Sequence, residues 1–314
     1  MCLFGSSCQA LGVQIDLSKS SEGLALVRNT ENRIIEISTS IEAVLQKGTI
    51  PRVEARRLRG RMQFAESQLF GRVGKRCLRA LGDLSDGVTK VLSGRDLFFL
   101  GLFSEFLKSG PPREISAMAS EMPVIFTDAC YEPGASSWVC GIGGVLVLPT
   151  REYQFFSIEL NLEDRIKLGE QTQKQIIFEA ETLAAVVALC LWMPLINSRR
   201  LILFVDNEGT KFSLLKAASD NQVVDKLSQL FASVEHESRT YLWLSRVASY
   251  SNIADEPSRG KCDSLLKAGA KQITDKASNV LSDVMLKAFG SFKMGKQAQT
   301  LSNIPLSKKR PLQQ

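Results

Sequence analysis

The chain has 314 residues, of which 44% are hydrophobic and 23% charged, an ordinary balance for a globular protein long enough for two domains. A net charge of +6 is too mild to establish a nucleic-acid partner by itself. The best apolar stretch, residues 183–196, is shorter than the roughly 20 residues of a membrane span, and the N-terminus lacks the positive region of a signal peptide.

The first part of the chain predicts a hairpin followed by helices. Residues 2–17 alternate loosely around Gly5 and Gly12, which is typical of a strand pair. Further on, apolar residues recur every three or four positions, the spacing of a helix face. Helices are predicted at residues 40–45, 53–81 with a glycine break near 71–74, and 94–108. The run Ser-Gly-Pro-Pro at 109–112 ends the last helix, and we place a domain boundary between it and Met122.

The segment 52–79 carries a dense set of basic residues, opposed there by only two acids, Glu54 and Glu66. The basic residues are Arg52, Arg56, Arg57, Arg59, Arg61, Arg72, Lys75, Arg76 and Arg79. A second basic run lies at 308–310. A solvated helix face and a phosphate-binding surface explain this charge equally well.

Residues 123–260 alternate strands with helices. Strands are predicted at 124–128, 137–148, 153–160, 201–206 and 240–247, and helices at 175–196, 210–219 and 222–237. Within the second strand, Gly141, Gly143 and Gly144 permit a bulge or a close approach of another backbone. They are not a phosphate loop, because no Gly-Lys-Ser/Thr follows. Past residue 260 we expect one helix, from 263 to 281 or 289, and then a tail. The order predicts a mixed α/β fold.

Four carboxylates occupy matching settings in this region. Asp128 and Asp206 end buried strands, Glu181 lies near the start of a helix, and Asp255 follows a turn. Hydrolysis of a phosphodiester is served by two divalent cations about 3.5–4 Å apart. Hard cations such as Mg²⁺ prefer carboxylate oxygens. The four acids therefore predict a two-metal nuclease site.

Each acid also has a simpler explanation. An Asp at the end of a strand is more often a turn former, and residues 206–209 fit a polar turn. Glu179 competes with Glu181, since an acid in a first helical turn complements the helix dipole. Asp255 also fits a helix N-cap. Order, setting and spacing together favour the metal site.

The motifs around these acids are FTDACYEPG, EAETLAAVVAL, LFVDNEGTKFSLL and SYSNIADEPSRG. Together they resemble the ribonuclease H domain of retroelement reverse transcriptases, DIRS-like elements in particular. The resemblance implies a ribonuclease H-like fold, in which helices flank a mixed five-stranded sheet over residues 123–260. It also implies that Asp128, Glu181, Asp206 and Asp255 are catalytic and bind two Mg²⁺ or Mn²⁺ ions.

Residues 1–112 resemble, more weakly, the end of a reverse-transcriptase palm and its helical thumb, and residues 261–314 form a C-terminal helix and basic tail. The paired Asp motif of the polymerase is absent, so the resemblance implies a truncated element without polymerase activity. Many members of the family carry a His in the loop before the last Asp. Here that loop is Ser-Tyr-Ser-Asn at 249–252, and His236 lies upstream.

The resemblance implies the RNA strand of an RNA–DNA hybrid as substrate. Discrimination of the strands requires contacts to 2′-OH groups, for which we select Asn207 and Asn252. The basic residues predicted to hold the duplex backbone are Arg56, Arg57, Arg59, Arg61, Arg72, Lys75 and Arg76. No membrane partner is expected, and the oligomeric state stays open.

Two rival hypotheses remain: a non-catalytic nucleic-acid-binding remnant, and an interaction scaffold whose duplex binding would not depend on salt. The seven cysteines form no CxxC pair and are accompanied by a single His, so a zinc site is not expected. Reduced thiols favour a cytoplasmic or nuclear location.

Overall fold

Two sheets, each with its own helices, make up the fold of the computed structural model. The structure describes residues 5–72, 74–87, 91–117, 121–135, 138–172, 175–197 and 199–290. The basic run at 308–310 lies outside these residues.

The N-terminal part joins an antiparallel sheet to four helices. Its strands are β1 (Ser7–Ala10), β2 (Val13–Asp16), β3 (Leu24–Asn29) and β4 (Arg113–Ser116), paired in that order. Its helices are α1 (Glu31–Lys47), α2 (Arg52–Glu66), α3 (Lys75–Ser85) and α4 (Gly94–Ser109). The predicted hairpin is β1–β2, and the predicted glycine break separates α2 from α3, with Gly71 at φ +75°. The sequence did not predict β3 and β4, which enlarge the hairpin into a sheet.

The second part is built on a six-stranded mixed sheet. Its strands are β5 (Val124–Tyr131), β6 (Cys140–Val147), β7 (Tyr153–Glu159), β8 (Arg200–Val205), β9 (Tyr241–Arg246) and the short β10 (Lys271–Gln272). The order is β10-β7-β6-β5-β8-β9. The strands β5, β6 and β7 run antiparallel, whereas β8 and β9 are parallel to β5. The fold class predicted from sequence is confirmed, with one edge strand more than the five expected.

Helices cover this sheet and connect its strands. They are α5 (Leu162–Leu168), α6 (Ile177–Ile196), α7 (Glu208–Lys216), α8 (Gln222–Ser238), α9 (Asp255–Ser258), α10 (Asp263–Lys267) and α11 (Thr274–Phe289). The central helix α6 packs its Ala and Val residues against β5 and β6, and Trp192 lies in the core. By length and composition α6 is apolar enough to cross a membrane, and 72% of its apolar window is buried inside the fold. Such burial is what a core helix shows.

The single helix predicted past residue 260 is wrong. The chain forms α10, turns at Gly269 with φ +78°, adds β10 to the edge of the sheet and only then begins α11. Lys271 and Gln272 pair with Gln154 and Phe155 of β7, so a long-range pairing overrides the local helical pattern.

Candidate functional site

The register of the sheet brings two of the predicted acids side by side. Strands β5 and β8 are parallel neighbours, and Phe126 pairs with Phe204. Asp128 follows Phe126 by two residues and lies inside β5, and Asp206 follows Phe204 by two residues and comes directly after β8. The parallel pairing of β5 with β8 stops at Phe126 and Phe204, so both carboxylates lie just beyond it. The prediction that the strand ends at Asp128 is wrong, because β5 continues beside β6 to Tyr131.

Glu181 reaches the same place from helix α6. It lies in the second turn of the helix, which packs against β5. Carboxylate oxygens of Asp128, Glu181 and Asp206 all lie within 4.8 Å of one another. Glu179 is directed elsewhere, since its Oε1 accepts a hydrogen bond of 2.6 Å from Nδ2 of Asn221. The structure therefore groups Glu181, and not Glu179, with the two aspartates.

The three carboxylates carry like charges and are largely shielded from water. Burial, and then the charge of Asp206, raise the pKa of Asp128 to about 7. Burial, followed by Asp128 and Asp206, raises the pKa of Glu181 well above its ordinary value. One carboxylate oxygen of Glu181, Oε2, is buried without a hydrogen-bond partner. A divalent cation would relieve this repulsion and supply the missing partner, so the three carboxylates fit a hard metal ion.

Asp255 lines the same pocket, which has a volume of about 480 Å³, but it is not one of the three closely grouped acids. It is the first residue of α9, whose N-cap is Ala254. Its Oδ1 accepts a hydrogen bond of 3.0 Å from Nε of Arg259, and Nη1 of Arg259 also donates to Glu132 at 2.6 Å. Among the residues described around this pocket, Arg259 is the one cation.

The two asparagines chosen for nucleic-acid contact have different surroundings. Asn207 lines the acidic pocket and caps α7, where its Oδ1 accepts from the N–H of Thr210. Asn252 is 5% exposed, and its Nδ2 donates to the Thr127 carbonyl at 3.1 Å and to Oδ1 of Asp128 at 3.3 Å. Of the two, only Asn207 lines the pocket.

The turn at 254–258 lies directly over strand β6, and this explains the glycines of that strand. A Cβ at Gly141 would lie 2.2 Å from the Ser258 carbonyl oxygen, and one at Gly143 would lie 2.4 Å from the Ser258 nitrogen. Of the two alternatives left open by the sequence, the close approach of another backbone is therefore what the structure shows. Ser258 itself donates a hydrogen bond of 2.8 Å to Oδ2 of Asp128. Sequence reasoning gave it no role, although it stands in the closing motif.

Of the basic residues predicted to hold a duplex, the four arginines at the surface lie on α2. Arg56 is exposed. Arg57 pairs with Glu54 at 2.9 Å, Arg61 with Glu36 at 2.6 Å, and Arg59 with Asp86 at 4.0 Å. These pairs lie at the surface, where an ion pair contributes little to stability and an arginine can readily exchange its carboxylate partner for another anion.

Three further basic residues of the prediction lie near α3 and pair with acids of the protein. Arg72 and Arg76 are largely buried, whereas the side chain of Lys75 is 43% exposed. Arg72 pairs with Glu235 of α8, and its Nη2 also donates to the Leu242 carbonyl at 3.2 Å. Lys75 pairs with buried Glu66 at 3.0 Å. Arg76 lies 2.8 Å from Asp96 and 3.4 Å from Asp225. Arg72 and Arg76 join the N-terminal helices to the larger sheet region, whereas Lys75 joins α3 to α2 beside this junction. Their predicted contact with nucleic acid stays a prediction.

The single His is also at this junction and does not line the acidic pocket. Nδ1 of His236 lies 2.8 Å from the Phe70 carbonyl oxygen, and its ring packs on Phe106 with centroids 3.9 Å apart. Burial lowers the pKa of His236. In the loop before Asp255, Ser249 lines the acidic pocket and Tyr250 is 94% exposed.

No family model and no curated protein matches this chain. Among solved structures it is similar to the N-terminal ribonuclease H domain of a Mycobacterium tuberculosis protein, solved as a fusion with maltose-binding protein. The identity is 15%, the TM-score 0.33, and the match covers 48% of this chain and 100% of the other. That likeness says nothing about the chemistry of this chain.

Proposed function

We propose that this protein is a metal-dependent endonuclease of the ribonuclease H type, which hydrolyses the RNA strand of RNA–DNA hybrids as part of a retroelement reverse transcriptase. The observation that carries the proposal is the group formed by Asp128, Glu181 and Asp206. Three mostly buried carboxylates within 4.8 Å of one another, at the mouth of an open pocket, are costly unless a cation binds there.

The roles of the acids follow from their positions. Asp128, Glu181 and Asp206 would hold two Mg²⁺ or Mn²⁺ ions, with Asp255 completing the set from the rim. When bound, the ions would activate the attacking water and stabilise the leaving oxyanion. The protein fixes the three carboxylates on a strand, a helix and a strand end, so little reorganisation is needed when the substrate arrives.

Substrate would be bound by groups around the pocket. Asn207 lies beside Asp206 and offers an amide to a sugar hydroxyl. Arg259 would lie near the phosphate next to the scissile bond, because it is the cation described at the pocket. The exposed arginines of α2, with Arg56 the most available, would contact the duplex backbone without reading sequence.

A second candidate function is a nucleic-acid-binding remnant without turnover. It is favoured by the loop before Asp255, where Ser249 and Tyr250 stand in place of the His found in many ribonuclease H domains. The two functions differ only in turnover, and a cleavage assay separates them.

The test is cleavage of an end-labelled RNA–DNA hybrid with Mg²⁺ or Mn²⁺, beside the variant Asp206→Asn. We expect cleavage of the RNA strand by the wild type and a loss of about a thousandfold or more in the variant, since metal stabilisation of the transition state contributes several kcal/mol. Double-stranded DNA and double-stranded RNA of the same sequence serve as substrate controls. Binding of the hybrid without cleavage in either metal would favour the remnant, and equal cleavage by both proteins would point to a contaminating nuclease.

A further inference from the structure

We infer that Ser258 and Asn252 are positioning residues for Asp128, which together fix its carboxylate for a divalent cation. The inference rests on the proposed function and deepens it. It gives the closing motif SYSNIADEPSRG a second task besides supplying Asp255, namely to orient an acid that lies far away in the sequence.

Both oxygens of Asp128 are held by this one segment. Oγ of Ser258 lies 2.8 Å from Oδ2 of Asp128 and 2.8 Å from the Asp255 carbonyl oxygen, so these two acceptors share its single proton. Nδ2 of Asn252 donates to Oδ1 of Asp128 at 3.3 Å. The donors come from opposite ends of the segment that contains Asp255. With one hydrogen bond on each oxygen, the carboxylate cannot rotate freely about χ2.

The two donors are themselves fixed. Ser258 is fully buried, and Asn252 uses its remaining groups on backbone atoms, with Nδ2 also donating to the Thr127 carbonyl and Oδ1 accepting from the N–H of Ala254. A carboxylate has about four acceptor sites. Two of those of Asp128 are taken by these donors, which leaves the others for a ligand. Partners of this kind usually change metal affinity by about 10- to 100-fold when they are removed.

The turn is anchored by contacts that do not touch any acid of the pocket. The Ser258 carbonyl accepts from Nε1 of Trp138 at 2.7 Å and from Sγ of Cys130 at 3.0 Å, and Oγ of Ser157 donates to the Pro257 carbonyl at 2.5 Å. Ser157 therefore provides a matched control. Its hydroxyl is buried and donates to the residue next to Ser258, and no hydrogen bond among the described residues joins it to Asp128.

The experiment compares Mn²⁺ binding by wild type, Ser258→Ala and Ser157→Ala in the full chain without substrate. Free Mn²⁺ is measured by its electron paramagnetic resonance signal, and thermal unfolding of the metal-free proteins is recorded in parallel. We expect Ser258→Ala to weaken Mn²⁺ binding by about 10-fold and Ser157→Ala to change it by less than about twofold, although each variant removes one buried hydroxyl donor. The double variant Ser258→Ala with Asn252→Ala should bind still more weakly.

The possible outcomes separate this inference from the proposed function. Equal Mn²⁺ affinity in wild type and Ser258→Ala, with hybrid cleavage by the wild type, would overturn the inference and leave the nuclease standing. Equal weakening in Ser157→Ala and Ser258→Ala would also overturn it, because the effect would then be one of general stability. A folded wild type that binds no Mn²⁺ would overturn both.

Discussion

The acidic pocket and the junction between the two sheet regions differ in whether their buried acids are paired with cations. At the junction, each buried acid named above faces a cation, as Glu235 faces Arg72 and Glu66 faces Lys75. In the pocket, Asp128, Glu181 and Asp206 face one another, and Arg259 on the rim is engaged with Asp255 instead.

This difference indicates where a ligand is expected to bind. A buried charge that is paired inside the chain already has its counter-ion, whereas a group of buried like charges has to take up protons or bind a cation from outside. The raised pKa values of Asp128 and Glu181 reflect this. The many basic residues of 52–79 predicted a phosphate-binding surface, but several of them form salt bridges with acids of the protein. By contrast, none of Asp128, Glu181 and Asp206 forms a salt bridge with a described residue.

The largest expected effect comes from breaking a pair at the junction. Arg72→Met leaves Glu235 buried without its cation and should lower the free energy of unfolding by about 3–5 kcal/mol. Arg57→Met removes an exposed pair with Glu54 and should cost less than about 1 kcal/mol. Urea unfolding of both variants measures the difference. Equal losses would mean that the junction is not held by this charge pair.

The loss of stability caused by Arg72→Met should also depend on pH, and the pKa of Glu235 sets the direction of this dependence. Burial already raises the pKa of Glu235 to about 6 in spite of Arg72, so the folded state binds the proton more tightly than the unfolded chain. The stability provided by the protonated form is therefore present below the unfolded pKa and is lost as the pH rises through about 6. A protonated Glu235 needs no cation, so the cost of Arg72→Met should be larger at about pH 8 than at about pH 5.

The opposite result is expected in the pocket, where removing a charge should stabilise the protein. Above the raised pKa of Glu181, where its buried carboxyl group is charged and has no cation, Glu181→Gln should raise the free energy of unfolding of the metal-free protein by roughly 1–3 kcal/mol. The gain in melting temperature that Mn²⁺ gives the wild type should disappear. Glu132→Gln, at the exposed rim of the same pocket, is the control and should change neither quantity much. A destabilised Glu181→Gln would contradict the view that the acids repel one another.

The placement of the acids could be predicted because it depends on local patterns. Short apolar runs that lead into Asp128 and Asp206, and an apolar helix that carries Glu181, are each visible within about a dozen residues. The contacts around the acids join residues that are far apart in sequence, as Ser258 is from Asp128. No local period encodes such pairs.

The same reason accounts for the errors and omissions elsewhere. The strands β3 and β4 pair across the whole N-terminal helical segment, so neither is visible as half of a hairpin. The helix predicted past residue 260 was wrong because β10 is defined by its pairing with β7, not by its own two residues. The glycines of β6 were noticed, but the backbone that approaches them lies more than a hundred residues away.

The smallest expected effect concerns the exposed arginines of α2, and it tests whether they bind a duplex at all. Arg56→Ala should weaken hybrid binding only a few-fold, and it should lower the slope of log affinity against log salt by about one, as expected for one lost phosphate contact. Arg56 is exposed, so the fold should be unchanged, which thermal unfolding would check. Fluorescence anisotropy of a labelled hybrid at several salt concentrations measures the slope. An unchanged slope would remove Arg56 from the interface. If Arg59→Ala and Arg61→Ala also left the slope unchanged, the arginines of α2 would play no part in hybrid binding, and the acidic pocket with Arg259 would remain the proposed site of contact.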